Sequence, residues 1–190
     1  MIIGLTGTFA GGKDTVADYL VKEKGFGAYG TGDVVREYVK KLGWPMTRDK
    51  QREMGNKLRV DHGADFIVKE AIKKAKGENK VITGIRQPNE ADFLNDGKDM
   101  YLMEVSAPLE TRFKRMQSRD REGDPRTVEE LKEKENKEMH GDPNDKNVQN
   151  ISYCMKVAKY KIDNSGTKEE LYKKVDKILE ELYAKSKEKI

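Results

Sequence analysis

Short apolar runs alternate with amphipathic segments along most of the chain. The runs at 1–6 (MIIGLT), 80–85 (KVITGI) and 100–105 (MYLMEV) are rich in β-branched or aromatic residues, which is typical of buried strands. Two weaker candidates lie at 26–33 (FGAYGTGD) and 158–164 (AKYKIDN). Strands separated by helical sequence predict an α/β fold: a doubly wound parallel sheet of about five strands, with helices on both faces and ligands at the carboxyl ends of the strands.

The segments between the runs carry apolar residues at helical spacing. Helices are predicted from Asp14 onwards, over 33–42, and as a pair over 49–60 and 64–75. Residues 119–150 contain few apolar residues, so we expect a surface excursion that buries little and is mobile unless an anion orders it. The C-terminal segment predicts a helix that packs through one apolar face, formed by Leu171, Val175, Ile178, Leu179 and Leu182.

Composition narrows the class of protein. The 190 residues are 38% charged and 35% hydrophobic, which predicts one domain over 1–190 with a small core under a charged surface. The net charge of +4 comes from 38 basic and 34 acidic residues that are intermixed, so no nucleic-acid partner is expected.

Cys154 is the only cysteine, which excludes an intrachain disulfide and indicates a reducing compartment. The first residues lack the basic lead of a signal peptide and no apolar run approaches the ~20 residues of a membrane span, so we expect a cytoplasmic protein with no membrane partner.

The stretch GTFAGGKDT (7–15) carries the clearest chemistry. Gly7, Gly12 and Lys13 have the G-x-x-x-x-G-K spacing of a phosphate loop, and they follow a predicted strand and open a predicted helix. The glycines let backbone N–H groups converge on phosphate oxygens, the lysine neutralises the outer phosphates, and the helix directs its N-terminus at the anion. The stretch therefore predicts a triphosphate site.

An aspartate follows the lysine, where a serine or threonine usually contacts magnesium. Asp14 cannot copy that contact, and Thr15 offers the nearest hydroxyl. Asp14 either holds magnesium through water or caps the helix, where a negative side chain is favourable. We favour capping.

Five segments resemble the nucleoside monophosphate kinase branch of P-loop kinases. GKDT is similar to the phosphate loop of phage-type deoxynucleoside monophosphate kinases and to that of adenylate kinases, and YGTGDVVRE is similar to the adenylate kinase segment at the acceptor nucleotide. VITGIRQPNEADFL resembles the R-x-P-N-E-A-D signature of deoxynucleoside monophosphate kinases, and LETRFKRMQSRDR resembles the arginine pair that opens the lid. IDNSGTKEEL resembles the segment before the last helix of dephospho-CoA kinases. The matches run from residue 1 to about residue 180 in the family's order.

The resemblance implies a three-layer P-loop kinase fold with a small mobile lid at about 119–150 and an acceptor-binding helical segment at about 31–76. It implies ATP and Mg²⁺ as cofactors, bound by Gly7, Thr8, Ala10, Gly11, Gly12, Lys13, Asp14, Thr15, Arg115, Asn164 and Gly166. The acceptor would contact Thr31, Gly32, Arg36 and Arg86. The catalytic residues would be Lys13, Arg86, Arg119 and Asp33.

The arginines also have a physical interpretation. A monophosphate dianion favours guanidinium groups, and Arg86 follows a predicted strand where ligand sites open. Arg115 and Arg119 are four residues apart on one predicted helix face, where like charges repel until a polyphosphate binds between them; Arg115 would stack on adenine and Arg119 would clamp the phosphoryl group. Arg121 or Arg126 would add to the clamp. The alternative for each arginine is a solvated surface position.

The magnesium ligand departs from the family's pattern. Relatives carry an aspartate at the end of the third strand, and Thr83 and Gly84 stand there instead. Asp33, Asp14 and Glu90 are the remaining carboxylates; we select Asp33, with Thr15 contacting the ion through water.

Three functions fit the sequence. The first is an ATP-dependent phosphotransferase acting on a nucleoside or deoxynucleoside monophosphate, a small-molecule partner, in a monomer or homodimer. The second is a dephospho-CoA kinase, which the NSGTKEEL segment favours. The third is a nucleotide-binding regulator without transfer activity, which the missing strand-end aspartate favours.

Overall fold

Five parallel strands form one sheet in the computed structural model, which describes residues 1–119, 124–141 and 148–187. The strands are β1 (Ile2–Thr6), β2 (Gly27–Gly30), β3 (Lys80–Thr83), β4 (Met100–Ser106) and β5 (Tyr160–Asp163), in the order β2-β3-β1-β4-β5. The predicted doubly wound sheet is confirmed, including the two weaker strand candidates. The helix that follows β1 packs on one face of the sheet and the helix that follows β3 packs on the other. Because β1 and β3 are neighbours, a crevice opens between their carboxyl ends.

Within the described residues, nine helices connect and cover the strands. They are α1 (Lys13–Lys24), α2 (Thr31–Lys41), α3 (Arg48–His62), α4 (Phe66–Lys74), α5 (Pro88–Asp96), α6 (Leu109–Arg119), α7 (Val128–Met139), α8 (Ile151–Val157) and α9 (Lys168–Lys187). None of the helices in these ranges is both long and apolar enough to cross a membrane.

Two apolar layers hold the sheet between the helices. Alternate residues of a strand face opposite layers, as Val81 and Ile82 of β3 show. Side chains from α1 and α9 fill one layer, and side chains from α2, α3, α4, α5 and α8 fill the other. The apolar face predicted for the terminal helix lies in the first layer.

The predicted surface excursion contains a helix that we did not expect. Helix α7 lies within residues 119–150, packs against α6 and α8, and buries Leu131 completely. Thr127 caps it by accepting the Glu130 N–H at 3.1 Å, and Glu130 accepts the Arg126 N–H at 2.7 Å. We did not predict this helix from the sequence, and the T-x-x-E capping pattern was the missed signal; the expectation that the segment buries little agrees with α7, in which Leu131 is the one buried residue among the described side chains. Its role as a lid stays a prediction.

Candidate phosphate-binding site

The loop between β1 and α1 lies tightly against β4 and β5. Gly7 has a φ of +133°, and a Cβ there would lie 2.1 Å from the Val105 carbonyl oxygen. Gly12 has a φ of +106°, and its Cβ would lie 2.1 Å from Nδ2 of Asn164. Ala10 also adopts a left-handed conformation, with a φ of +51°. Only glycine fits the two crowded positions, and a loop of this kind turns its N–H groups toward an anion.

Lys13 spans the mouth of this loop. Its Nζ donates to the carbonyl oxygens of Gly7 at 2.8 Å and Thr8 at 2.6 Å. Burial, and next the positive charge of Arg86, lower the pKa of Lys13 to about 8, while the carboxylates of Asp14 and Glu138 oppose this shift. The lysine therefore lies within electrostatic reach of the arginine that follows β3.

Two buried polar atoms beside the loop have no hydrogen-bond partner among the described residues. They are Oγ1 of Thr8, a residue that is 8% exposed, and Nη1 of Arg115. Buried polar groups are usually hydrogen-bonded, so unpartnered donors at a glycine-rich loop fit a ligand with oxygen acceptors.

Arg115 and Asn164, predicted as cofactor residues, lie together at this loop. Arg115 Nη2 donates to the Asn164 carbonyl at 2.9 Å, and Asn164 Nδ2 donates to the Gly11 carbonyl at 2.9 Å. Asn164 is 5% exposed, so the contact ties the end of β5 to the loop. Gly166 lies apart, exposed before α9 and close to Glu170. The binding roles of these residues stay predictions.

Arg112 is a site residue that the sequence interpretation missed. It is 6% exposed, and its guanidinium donates to the carbonyls of Ala107 at 2.8 Å and Phe9 at 3.2 Å. It also forms a two-point ion pair with Glu135 of α7. Its spacing of three residues from Arg115, which puts both on one helix face, was the available signal.

The predicted acceptor residues lie across the crevice, at the ends of β2 and β3. Thr31 Oγ1 donates to the Gly84 carbonyl at 2.8 Å. Gly84 has a φ of +84°, and a Cβ there would lie only 2.7 Å from the Thr31 hydroxyl oxygen, so the position leaves no room for a side chain. Asp33 accepts the Gly30 N–H at 3.2 Å and pairs with Arg36 at 2.5 Å. We call this region, Thr31, Gly32, Asp33, Arg36, Gly84 and Arg86, the acceptor cleft.

Arg86 is held between the phosphate loop and α7. Its Nη1 lies 3.2 Å from Oε2 of Glu138, and its guanidinium lies 6.0 Å from the centre of the Phe9 ring. Its backbone N–H donates to Glu90 Oε2 at 3.3 Å. Oε1 of Glu90 accepts from Arg59 of α3 at 3.2 Å, in a pair whose side chains are 2% and 10% exposed. Arg59 is a second residue that the sequence interpretation missed, since its helix carries several charged residues at similar spacing.

The predicted clamp arginines are only partly described. Arg119 pairs with Asp124 at 2.6 Å; this bond, and to a smaller extent the nearby charge of Asp14, raises its pKa. Arg119 is therefore near the start of α1. Arg126 is exposed, and Arg121 lies outside the described residues.

The side chains present suit phosphate better than a metal held by protein alone. Within the described ranges, no three His, Cys, Asp or Glu residues converge to form a metal site. Asp14 is exposed in the first turn of α1, where its charge is favourable, but its side chain accepts no hydrogen bond from the described residues, so the capping bond that we favoured is not formed; Thr15 is half-buried. Glu90 uses both of its oxygens within the protein. A magnesium ion bound to ATP would therefore depend mainly on phosphate oxygens and water, with Asp14, Thr15 and Asp33 nearest by prediction.

Comparisons with known proteins agree with this geometry. A family model described as an AAA domain matches residues 3–141. A UPF0200 protein of Thermoplasma volcanium is 30% identical, over 94% of this chain and 96% of the relative. A UPF0200/UPF0201 protein of Archaeoglobus fulgidus is 31% identical over 94% of this chain, which spans 54% of that relative's length.

Two solved structures share the fold. A Thermus thermophilus protein superposes with a TM-score of 0.62 at 22% identity, over 96% of this chain and 97% of that one. Shikimate kinase from Acinetobacter baumannii, solved with shikimate, gives a TM-score of 0.57 at 17% identity, over 94% and 92%. With its phosphate loop, five-stranded parallel sheet and matching family model, the chain belongs to the AAA-domain family and to the UPF0200 family, and its fold is that of a P-loop kinase.

Proposed function

We propose that the protein transfers the γ-phosphoryl group of ATP to a nucleoside or deoxynucleoside monophosphate. The observation that carries the proposal is the position of Lys13. It binds the phosphate-loop carbonyls, while its pKa responds to Arg86 of the acceptor cleft. A group transferred between two anions needs a cation that faces both.

On the donor side, the loop would hold the triphosphate through backbone N–H groups and the unpartnered Thr8 hydroxyl. Arg115, joined to Asn164, would contact the adenine. Magnesium bound with ATP would neutralise charge on the outer phosphates. Lys13 would stabilise the charge that shifts toward the leaving phosphate, and Arg119, which lies near Asp14 at the start of α1, would add to this stabilisation.

On the acceptor side, Arg86 and Arg36 would bind the acceptor's phosphate, with Thr31 and Gly32 near its sugar or base. A guanidinium can bond a phosphate through two N–H groups, which fixes the acceptor's orientation. The segment 119–150 would act as a lid of this single domain over the transferring group and exclude water.

A second candidate is transfer to a hydroxyl, as in a dephospho-CoA kinase. The observation that favours it is Asp33, a carboxylate within the acceptor cleft that could accept the proton of an attacking hydroxyl. The structural neighbour solved with shikimate carries a hydroxylated acid, which is the same class of acceptor.

A single assay separates these functions. The protein is incubated with Mg-ATP and, one at a time, nucleoside monophosphates, deoxynucleoside monophosphates, dephospho-CoA and shikimate, and ADP is measured. We expect acceptor-dependent ADP with one monophosphate, and none with the variant Lys13→Met. ADP formed only with dephospho-CoA or shikimate would establish the second candidate. Tight ATP binding with no turnover on any acceptor would contradict both and favour the regulator.

A further inference from the structure

Helix α7 places two carboxylates against the candidate site. Glu135 and Glu138 are one helical turn apart, on the same face as the buried Leu131. Their side chains are 12% and 15% exposed, so both are largely withdrawn from water. Buried carboxylates need positively charged partners, and Glu135 pairs with Arg112 while Glu138 pairs with Arg86.

The pair made by Glu135 is a fixed structural contact. Its partner Arg112 has a side chain that is 7% exposed and also donates to the Ala107 and Phe9 carbonyls. No outward-facing part of this guanidinium remains for a ligand. Glu135 therefore anchors α7 beside the phosphate loop.

The pair made by Glu138 is different, because its partners stay open to solvent. Arg86 has a side chain that is 39% exposed and contacts Glu138 through one nitrogen at 3.2 Å. Arg48 at the start of α3, 68% exposed, approaches the other oxygen at 3.9 Å. The charge of Glu138 also reaches Lys13, where it raises the pKa against the effect of burial. One carboxylate thus pairs with two arginines, one from α3 and one from the loop after β3, and its charge also acts on Lys13 of α1.

A carboxylate in this position has the charge and the oxygen acceptors of a bound phosphate. We propose that Glu138 is an internal competitor: it occupies the anion site formed by Arg48 and Arg86 beside Lys13, and a phosphate of the substrate must displace it. Arg48 thereby becomes a further anion-binding residue of the acceptor side. The inference rests on the proposed binding of phosphate at Lys13 and Arg86.

The competitor changes affinity in a defined direction. A ligand that binds only the fraction of molecules with a free site has its apparent affinity reduced by that fraction. Phosphate carries more charge than a carboxylate, and it can bond Arg86 through two N–H groups where Glu138 uses one, so it displaces Glu138 at sufficient concentration. A single charge on an acceptor would displace Glu138 less well, so the competitor also selects against weakly charged acceptors.

The test uses inorganic tripolyphosphate as the probe and isothermal titration calorimetry of the full chain at low ionic strength. The variants are Glu138→Gln and the matched control Glu133→Gln, which removes the same charge from an exposed position of α7 that forms no ion pair within the described residues. We expect Glu138→Gln to bind tripolyphosphate about tenfold more tightly than the wild type, and Glu133→Gln to stay within about twofold.

Each outcome decides the inference. Equal affinity for the two variants would overturn it and leave the phosphate site standing, because the wild type would still bind the probe. Binding by none of the three proteins would overturn both the inference and the proposed function. Binding by Glu138→Gln alone would support the inference in its strongest form.

Discussion

The phosphate loop and the acceptor cleft are neighbours, with Phe9 of the loop near Arg86 of the cleft and Lys13 within electrostatic reach of Arg86, but different contacts hold them in place. The loop is held through its own backbone atoms: its glycines pack against the Val105 carbonyl, and the side chains of Asn164 and Arg112 donate to its carbonyl oxygens. The acceptor side is held by pairs of charged side chains, Arg36 with Asp33, Arg59 with Glu90, and Arg86 with Glu138.

The difference has a physical consequence for specificity. Backbone contacts and steric limits cannot exchange partners, so we expect the loop to be preorganised for one kind of ligand, a polyphosphate. The Arg36–Asp33 and Arg86–Glu138 pairs are partly exposed, and such pairs exchange partners at low free-energy cost, so we expect the acceptor cleft to adapt to its ligand more readily than the loop does. We therefore expect the loop to be more selective for its ligand than the acceptor cleft is for its own.

The largest effect is expected where the two regions meet. Lys13→Met should lower kcat/KM by about 10³-fold, because it removes the charge that faces both phosphates.

The same variant tests the pKa of Lys13, which is about 8 in the folded protein against an ordinary value of 10.5. Burial of the charged form disfavours folding below pH 8, and this penalty disappears as pH rises to 10.5.

The free energy of unfolding of Lys13→Met, relative to wild type, should therefore fall between pH 8 and pH 10.5 as the wild type recovers stability. Urea unfolding across this range measures it. Lys80→Met is the control for ATP binding. Lys80 also donates to a backbone carbonyl, that of Ile72 at 2.9 Å, but it lies away from the phosphate loop, so this variant should still bind ATP. A relative stability that is flat with pH would show that Lys13 is not held in a buried, charged state.

The steric account of the loop is tested by Gly7→Ala. The added Cβ would lie 2.1 Å from the Val105 carbonyl oxygen at a φ of +133°. We expect a loss of about 3 kcal/mol in unfolding free energy together with loss of ATP binding. Gly25→Ala is a matched control, because Gly25 also has a positive φ, +70°, but nothing lies within 4 Å of its Cβ position. It should cost only about 1 kcal/mol and leave ATP binding intact; similar costs for both would refute the steric account.

The acceptor side is tested through its most buried pair. Glu90→Gln should lower unfolding free energy by about 3 kcal/mol, because Arg59 would stay buried without a negative partner. Acceptor KM should rise more than ATP Kd, since Glu90 also holds the Arg86 N–H. The control is Glu53→Gln, which breaks the exposed Lys50–Glu53 pair of α3, the helix that also carries Arg59. It should lower the unfolding free energy by less than about 1 kcal/mol. An equal rise in ATP Kd would place Glu90 in support of the donor side instead.

The smallest effect is expected from Asp33→Asn. Asparagine can still accept the Gly30 N–H, so the α2 terminus should stay intact, while the charge near the transferring group is lost. Turnover should fall about tenfold with ATP affinity unchanged. Asp49→Asn, in the first turn of α3, is the control for loss of an exposed helix-terminal carboxylate. Unchanged turnover in Asp33→Asn would remove Asp33 from the mechanism.

Local patterns predicted the strands and most helices. Continuous apolar runs in β1, β3 and β4 satisfy a strand buried on both faces, so their identity needed no tertiary information. The phosphate loop was predictable for a similar reason, because its glycines, lysine and flanking elements are contiguous in sequence. Helix α7 was missed because most of its surface is polar and its burial depends on Leu131 and two ion pairs.

The contacts that complete the site could not be read from sequence. Arg112 with Glu135, and Arg59 with Glu90, join residues 23 and 31 positions apart, and many other arginines and glutamates in this highly charged chain could have been paired instead. Charge alone does not select these partners, because an ion pair on the surface contributes little free energy; the pairs become specific only when the fold buries them.

By itself, the sequence determined the α/β class, the parallel sheet and the loop for phosphate, since periodicity and contiguous glycines act over a few residues. The tertiary structure alone decided which arginines are buried, which stay open to a ligand, and that Glu138 lies where a phosphate is expected to bind. The reason is that burial removes water's screening: only the packing of α3, α5, α6 and α7 around the crevice gives these charges specific partners.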